Sequence, residues 1–130
     1  MPQGNRITFR CEQPFVGADE EPAILGVEGV AWFLDKLKRI PTLVVEPKLV
    51  QEDWGVVIYV VENRQHFWIG LGFFDENCWI VHVNHNALLQ RLTPSGKAGL
   101  ARLAESLYAA LITDSTVSEV CWFEGQEPKK

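Results

Sequence analysis

No stretch of this chain approaches the roughly 20 consecutive apolar residues that a membrane-spanning helix needs, and its opening, MPQGNRITFRCEQP, has no apolar run of signal-peptide type. Both absences lead us to expect a cytoplasmic protein without a membrane partner. Cysteine is scarce: Cys11, Cys78 and Cys121 are odd in number, far apart and lack a CxxC pair. That spacing argues against a disulfide framework and fits a reducing compartment. Positive charge is short as well, with twelve Lys and Arg facing seventeen Asp and Glu for a net charge of −5. Nucleic-acid binding requires a basic patch that offsets phosphates. The tight basic group here, Lys36, Lys38 and Arg39, reads instead as a solvated helix end. There is no GxSxG elbow, no P-loop, no GxGxxG after a strand and no HExxH. Without an assembled constellation the chain is not expected to be an enzyme, and no cofactor is implied.

What the chain does have is apolar sequence in regular periods. Its 130 residues, 47% hydrophobic and 22% charged, suffice for one domain over residues 1–130 with a core of its own. Three runs dominate residues 54 to 84: WGVVIYVVE, QHFWIGLGFF and NCWIVHVN, separated by two short polar breaks. Polar turns between β-branched and aromatic runs predict an antiparallel meander. Asn63-Arg64 as a two-residue hairpin turn sets Val60 opposite Phe67, Ile58 opposite Ile69, Val56 opposite Leu71 and Trp54 opposite Phe73. A three-residue connection, Asp75-Glu76-Asn77, continues the same face through Trp79, Val81 and Val83. A slip of one residue would mix the two sets, so the pattern itself selects this register. In it, Trp54 plugs the end of the core and Gly55 permits a bend.

Around the meander, Asn5 to Cys11 alternates as a strand, and EQPFVGADEEP is a loop. Pro22 after Glu20-Glu21 starts a helix from about Ala23 to Arg39, with Val27, Val30, Ala31, Leu34 and Leu37 or Lys38 on its inner stripe and Pro41 ending it. Thr42 to Val45 and Lys48 to Val50 are short extended pieces around Pro47 at a sheet edge. Thr93-Pro94 caps a second helix whose stripe is Leu100, Leu103, Ala104, Leu107, Tyr108 and Leu111, with Asp114-Ser115 as its stop. Val117 to Phe123 is the last strand. The expected fold is α+β: a mostly antiparallel sheet in β-α-β-β-β-α-β order, with room for an extra short strand, and two amphipathic helices on the Ile58/Ile69/Trp79 face.

The reverse face is the place to look for function. Tyr59, Trp68 and Asn84 fall in one cross-strand row, and His82 lies across from Gly70. Mid-strand glycine is costly unless something approaches the backbone closely, and Gly70 and Gly72 both sit there. Two readings stay open. The face is either a second buried layer, covered by the 42–50 segment, a helix or a dimer mate, or an open recognition surface rich in Tyr, Trp and His. In the second reading Tyr59, His66, Trp68, Gly70, His82 and Asn84 are the candidate binding residues. Asp19, Glu20 and Glu21 in the first loop, and Glu52 and Asp53 before the meander, are candidate contacts for a basic partner. Cys78, His82 and His85 spell C-x3-H-x2-H, but an extended strand separates the first two by about 13 Å at roughly 3.3 Å per residue. No metal is expected, and the histidines read as hydrogen-bonded surface residues. Cys121 reads as a small buried hydrophobe.

The Glu52-Asp53-Trp54-Gly55 motif, followed by a strand, a turn and Phe67-Trp68-Ile69-Gly70, resembles a pattern in small bacterial α+β proteins. Some of those are similar to immunity proteins of polymorphic toxin and contact-dependent inhibition systems. The resemblance covers about residues 50 to 84. It implies a non-catalytic, stoichiometric protein binder that neutralises a toxin, and an acidic chain would suit a basic toxin domain. A second resemblance, in size, acidity and α/β layout, is to secretion chaperones that bind partner segments as dimers, which leaves room for a homodimer. It departs in that a strand precedes the first helix and no helix follows the last strand. A third reading is a small-ligand or enzymatic pocket centred on Tyr59, Trp68 and His82.

Overall fold

A computed structural model describes residues 5–11, 27–52, 54–75, 78–86 and 93–124. Among them are six strands and two helices in the order β1 (Asn5–Cys11), α1 (Val27–Lys38), β2 (Leu43–Glu52), β3 (Gly55–Glu62), β4 (Gln65–Asp75), β5 (Cys78–His85), α2 (Pro94–Ile112) and β6 (Val117–Glu124). The strands form one antiparallel sheet in the spatial order β2-β3-β4-β5-β1-β6. The fold is α+β, as the patterning predicts. The two extended pieces around Pro47 are one ten-residue edge strand, β2, interrupted by a bulge between Val45 and Leu49. The bulge leaves Pro47, which has no N–H to donate, out of the ladder pairing.

The meander register is the expected one. Asn63 and Arg64 take φ of 51° and 67°, the two left-handed residues of a type I′ turn, whose twist matches that of the strands it joins. Val60 pairs with Phe67, Ile58 with Ile69 and Val56 with Leu71, and β5 brings Val81 and Val83 beside Leu71 and Ile69. These side chains are all buried, together with Ile7 and Phe9 of β1. Both helices close this face. Thr93 caps α2, its Oγ1 accepting the Gly96 N–H at 2.9 Å, and Leu100, Leu103, Ala104, Leu107 and Leu111 are buried as the stripe requires.

The stripe of α1 is rotated from the expected one. Phe33 and Leu37 are fully buried, while Ala31 is exposed. The larger ring takes the inward position because it removes more apolar surface from water. The start of this helix near Ala23 lies outside the described residues. Its far end is also not simply solvated: Lys36 forms an ion pair with Asp114 and lies 5.5 Å from the Trp32 ring centroid. Asp114, in the turn after α2, also accepts from the Thr116 N–H at 2.8 Å and its hydroxyl at 2.6 Å. One carboxylate thus ties the end of α1 to the turn that enters β6.

A polar layer, in phase with the buried alternation of β3 and β5, closes the opposite end of the core. Glu62 is buried and accepts from the Thr42 hydroxyl at 2.8 Å. His85, read above as a surface histidine, is buried too. Its Nε2 lies 2.8 Å from the Gly96 carbonyl oxygen, and its ring stacks on Phe67 at 5.1 Å. Cys121 departs in the other direction: it is exposed, because β6 is an edge strand and position 121 pairs with Thr8 on the helix-free side. Among the described residues no helix is long and apolar enough to cross a membrane.

Ile58→Ala or Ile69→Ala is expected to cost about 2–5 kcal/mol in chemical denaturation, as truncation of a fully buried aliphatic leaves a cavity. Burial opposes ionisation of Asp114, but hydrogen bonds from Lys36 and Thr116 and the Lys36 charge outweigh it and hold the carboxyl at about 2, below its usual 3.8. A depressed carboxylate stabilises the fold above its unfolded-state value and loses that contribution as pH falls. Denaturation midpoints should therefore drop between about pH 4 and pH 2 by about 2 kcal/mol of stability. In Asp114→Asn that part of the acid dependence should be missing.

Candidate functional site

The reverse face can be laid out in cross-strand rows, because paired residues point the same way. One row runs Tyr59, Trp68, Asn84. The next runs Val50, Val57, Gly70, His82, Arg6, Phe123, and the one beyond it Glu52, Gly55, Gly72, Ile80, Thr8, Cys121. His66 stands apart, opposite Val61 and near the hairpin end. Tyr59, Trp68, Gly70, His82 and Asn84 are therefore neighbours, as expected. Tyr59, Trp68, His82 and Asn84 are half-buried, and neither helix packs over them. The 42–50 segment does not cover this face either; as β2 it extends the sheet sideways.

The centre of the face is occupied by Trp54, and here the expectation fails. Pairing of β3 with β4 ends at Gly55–Gly72, so Trp54 neither faces Phe73 nor plugs the core. It is 45% exposed and lies across the reverse side of β4. A Cβ on Gly70 would stand 2.8 Å from Trp54 Cη2 and 3.1 Å from Trp68 Cζ3, and one on Gly72 would stand 3.4 Å from Trp54 Cε3. Both mid-strand glycines are explained by Trp54: its indole approaches Gly70, whereas at Gly72 the tighter approach is the Trp54 backbone carbonyl oxygen, 2.7 Å from where a Cβ would stand. Gly55 makes the approach possible, since a Cβ there would collide with the Leu71 carbonyl oxygen. The spacing of Trp54-Gly55 before Gly70-x-Gly72 carries this arrangement in the sequence, and it could have been found from the costly glycines alone.

His82 meets the Trp54 ring edge-on, with centroids 6.4 Å apart. Asn84 uses its side-chain oxygen to accept the His85 N–H at 2.9 Å. Glu52 is half-buried, stands in the row of the Trp54 trough, and has no ion pair among the described residues. On the far side of the face Arg10 pairs with Glu119 at 2.5 Å, an exposed contact of small energetic weight. Asp19, Glu20, Glu21 and Asp53 lie outside the described residues. The C-x3-H-x2-H set is split by the pleat: Cys78 and His82 point to the reverse side, while His85 is buried under α2. Among the described residues no three His, Cys, Asp or Glu side chains converge as metal ligands would. What the face offers is contact: two indoles meeting over Gly70, flanked by a phenol, an imidazole, an amide and a carboxylate.

Comparison with protein-family models, curated proteins and solved structures returns no match for this chain.

Two glycine substitutions should behave differently. Gly55→Ala meets backbone, and we expect a loss of about 1–3 kcal/mol in denaturation experiments. Gly70→Ala meets the outer atoms of a half-exposed ring that can swing away, so its cost should stay under about 1 kcal/mol. Its signature should be optical, with Trp54 more accessible to acrylamide quenching than in the wild type.

Proposed function

We propose that this chain is a non-catalytic protein-binding domain that uses the reverse face of its sheet, and that it acts in the manner of an immunity protein, neutralising a toxin in the bacterial cytoplasm by stoichiometric binding. One observation supports this reading above others. The two segments on which the resemblance to immunity-like proteins rests, Glu52-Asp53-Trp54-Gly55 and Phe67-Trp68-Ile69-Gly70, contribute the two indoles that meet over Gly70. A resemblance carried only by core packing would say little about function, whereas these indoles lie on the helix-free side. Trp and Tyr supply large contact area with few rotamers to freeze, and partly desolvated aromatic clusters dominate the energetics of protein interfaces. The net charge of −5 favours a basic partner through faster association and electrostatic fit.

The test compares tagged wild-type protein with a Tyr59→Ala/Trp68→Ala variant in affinity capture from a lysate of the source organism. The expected result is a basic toxin domain recovered at 1:1 by the wild type and lost by the variant, with thermal unfolding of the two within a few degrees. Equal recovery by both proteins, or no stoichiometric partner at all, would overturn the reading.

A further inference from the structure

We infer that the Trp54–Trp68 platform receives a guanidinium group, an arginine side chain of the partner, with Glu52 as its counter-charge. The inference rests on the protein-binding reading above and deepens it by naming the chemistry recognised. Its first support is the construction of the platform. Gly70 gives up its side chain so that the Trp54 indole can lie against the sheet, Gly72 gives up its own to clear the Trp54 carbonyl oxygen, and Gly55 stands where a Cβ would meet the Leu71 carbonyl oxygen. Three positions of a strand pair thus admit Trp54 to the sheet surface, where it is 45% exposed. A face built this way presents π-surface, and the faces of indole rings attract cations more strongly than those of other aromatic side chains.

The second support is charge. Glu52 pairs with Gly55 at the edge of the same row, is half-buried, and is not matched by a cation among the described residues. A carboxylate that has given up part of its hydration without an ion pair gains more from an incoming cation than a fully solvated one does. Among the described residues, Arg6 and Arg10 stand two strands beyond Gly70 and Gly72, on β1, and Lys48, in the β2 bulge, forms no ion pair with Glu52. Among cationic groups, guanidinium suits the site better than ammonium, because its plane can stack on an indole while its N–H edge reaches a carboxylate. Neutral apolar occupants would leave Glu52 facing a dry interface without compensation.

Hexa-arginine is the probe, titrated into the full chain labelled with 15N and followed at the indole N–H signals. The Trp54 and Trp68 signals should move together. Affinity should fall about fivefold to tenfold in Trp54→Ala and severalfold in Glu52→Gln, while Glu105→Gln, at an exposed site on α2, should leave it unchanged. Glu52→Gln keeps the side-chain shape, so its result stands even if Trp54→Ala disturbs the turn. Indole signals that do not respond, or equal losses in Glu52→Gln and Glu105→Gln, would overturn the site. Hexalysine binding as tightly as hexa-arginine would overturn the guanidinium assignment. A captured partner whose binding ignores Glu52→Gln would sink this inference and leave the protein-binding reading intact; responsive indoles without any capturable partner would do the reverse.

Discussion

The two-residue turn at Asn63-Arg64 decides which way the central side chains of this sheet point. With both residues at positive φ, the hairpin closes without splaying and the β3–β4 register is fixed. β5 then follows from β4, β1 from β5 and β6 from β1 through antiparallel pairing. Asparagine tolerates the left-handed region; arginine does so less readily, and the strain is offset by the ladder it sets up. Because side chains alternate, one such constraint separates a layer containing Ile58, Ile69 and Val81 from one containing Tyr59, Trp68 and His82. A slip of one position would bury Glu-, His- and Asn-bearing rows and expose the aliphatic ones, so the alternatives are far apart in energy.

Given that division, the three glycines at 55, 70 and 72 act as a single device. Each by itself weakens a strand, through lost packing and added backbone entropy in the unfolded chain. Together they let Trp54 lie on the sheet backbone, on the side away from both described helices. The sheet therefore carries an aromatic surface that belongs neither to the core nor to a loop. Its backbone is held by the central strands under it, while the half-exposed Trp54 ring can adjust to what it meets.

Much of this was legible in residue pattern and some was not, for reasons that can be named. The Ile58, Ile69 and Val81 layer and the stripe of α2 follow from period-two and period-3.6 alternation, which burial enforces directly. Row neighbours such as Tyr59, Trp68 and Asn84 follow once the turn is placed. Trp54 escapes the pattern because alternation holds only as far as Gly55, the last paired position of β3 against β4, and the chain is outside the ladder at Trp54. His85 and Glu62 fall on the buried phase of β5 and β3, but their polarity points to solvent; hydrogen bonding is what permits their burial, from Thr42 to Glu62 and between His85 and the Gly96 carbonyl. Such bonds join residues distant in sequence, and periodicity carries no trace of them. The Lys36–Asp114 pair is hidden for the same reason. Phe33 outcompeting Ala31 for the inside of α1 is a matter of size rather than period.

How the edges of the sheet are finished bears on where a partner can bind. An open edge invites strand addition, and both edges here are blunted. In β2 the bulge sets Glu46, Pro47 and Lys48 against one residue of β3 and interrupts the row of outward N–H groups. In β6 an extra residue falls between Ser118 and Cys121, and Glu119 takes φ of 53°, so the strand twists away from a flat template. Backbone pairing with a second chain is thus disfavoured at either side. Among the described residues the helices occupy one face, so the association we propose would use the side chains of the other. A partner of the kind we propose would be discriminated there by shape and charge rather than by main-chain hydrogen bonds, through the rings of Trp54 and Trp68 and the carboxylate of Glu52.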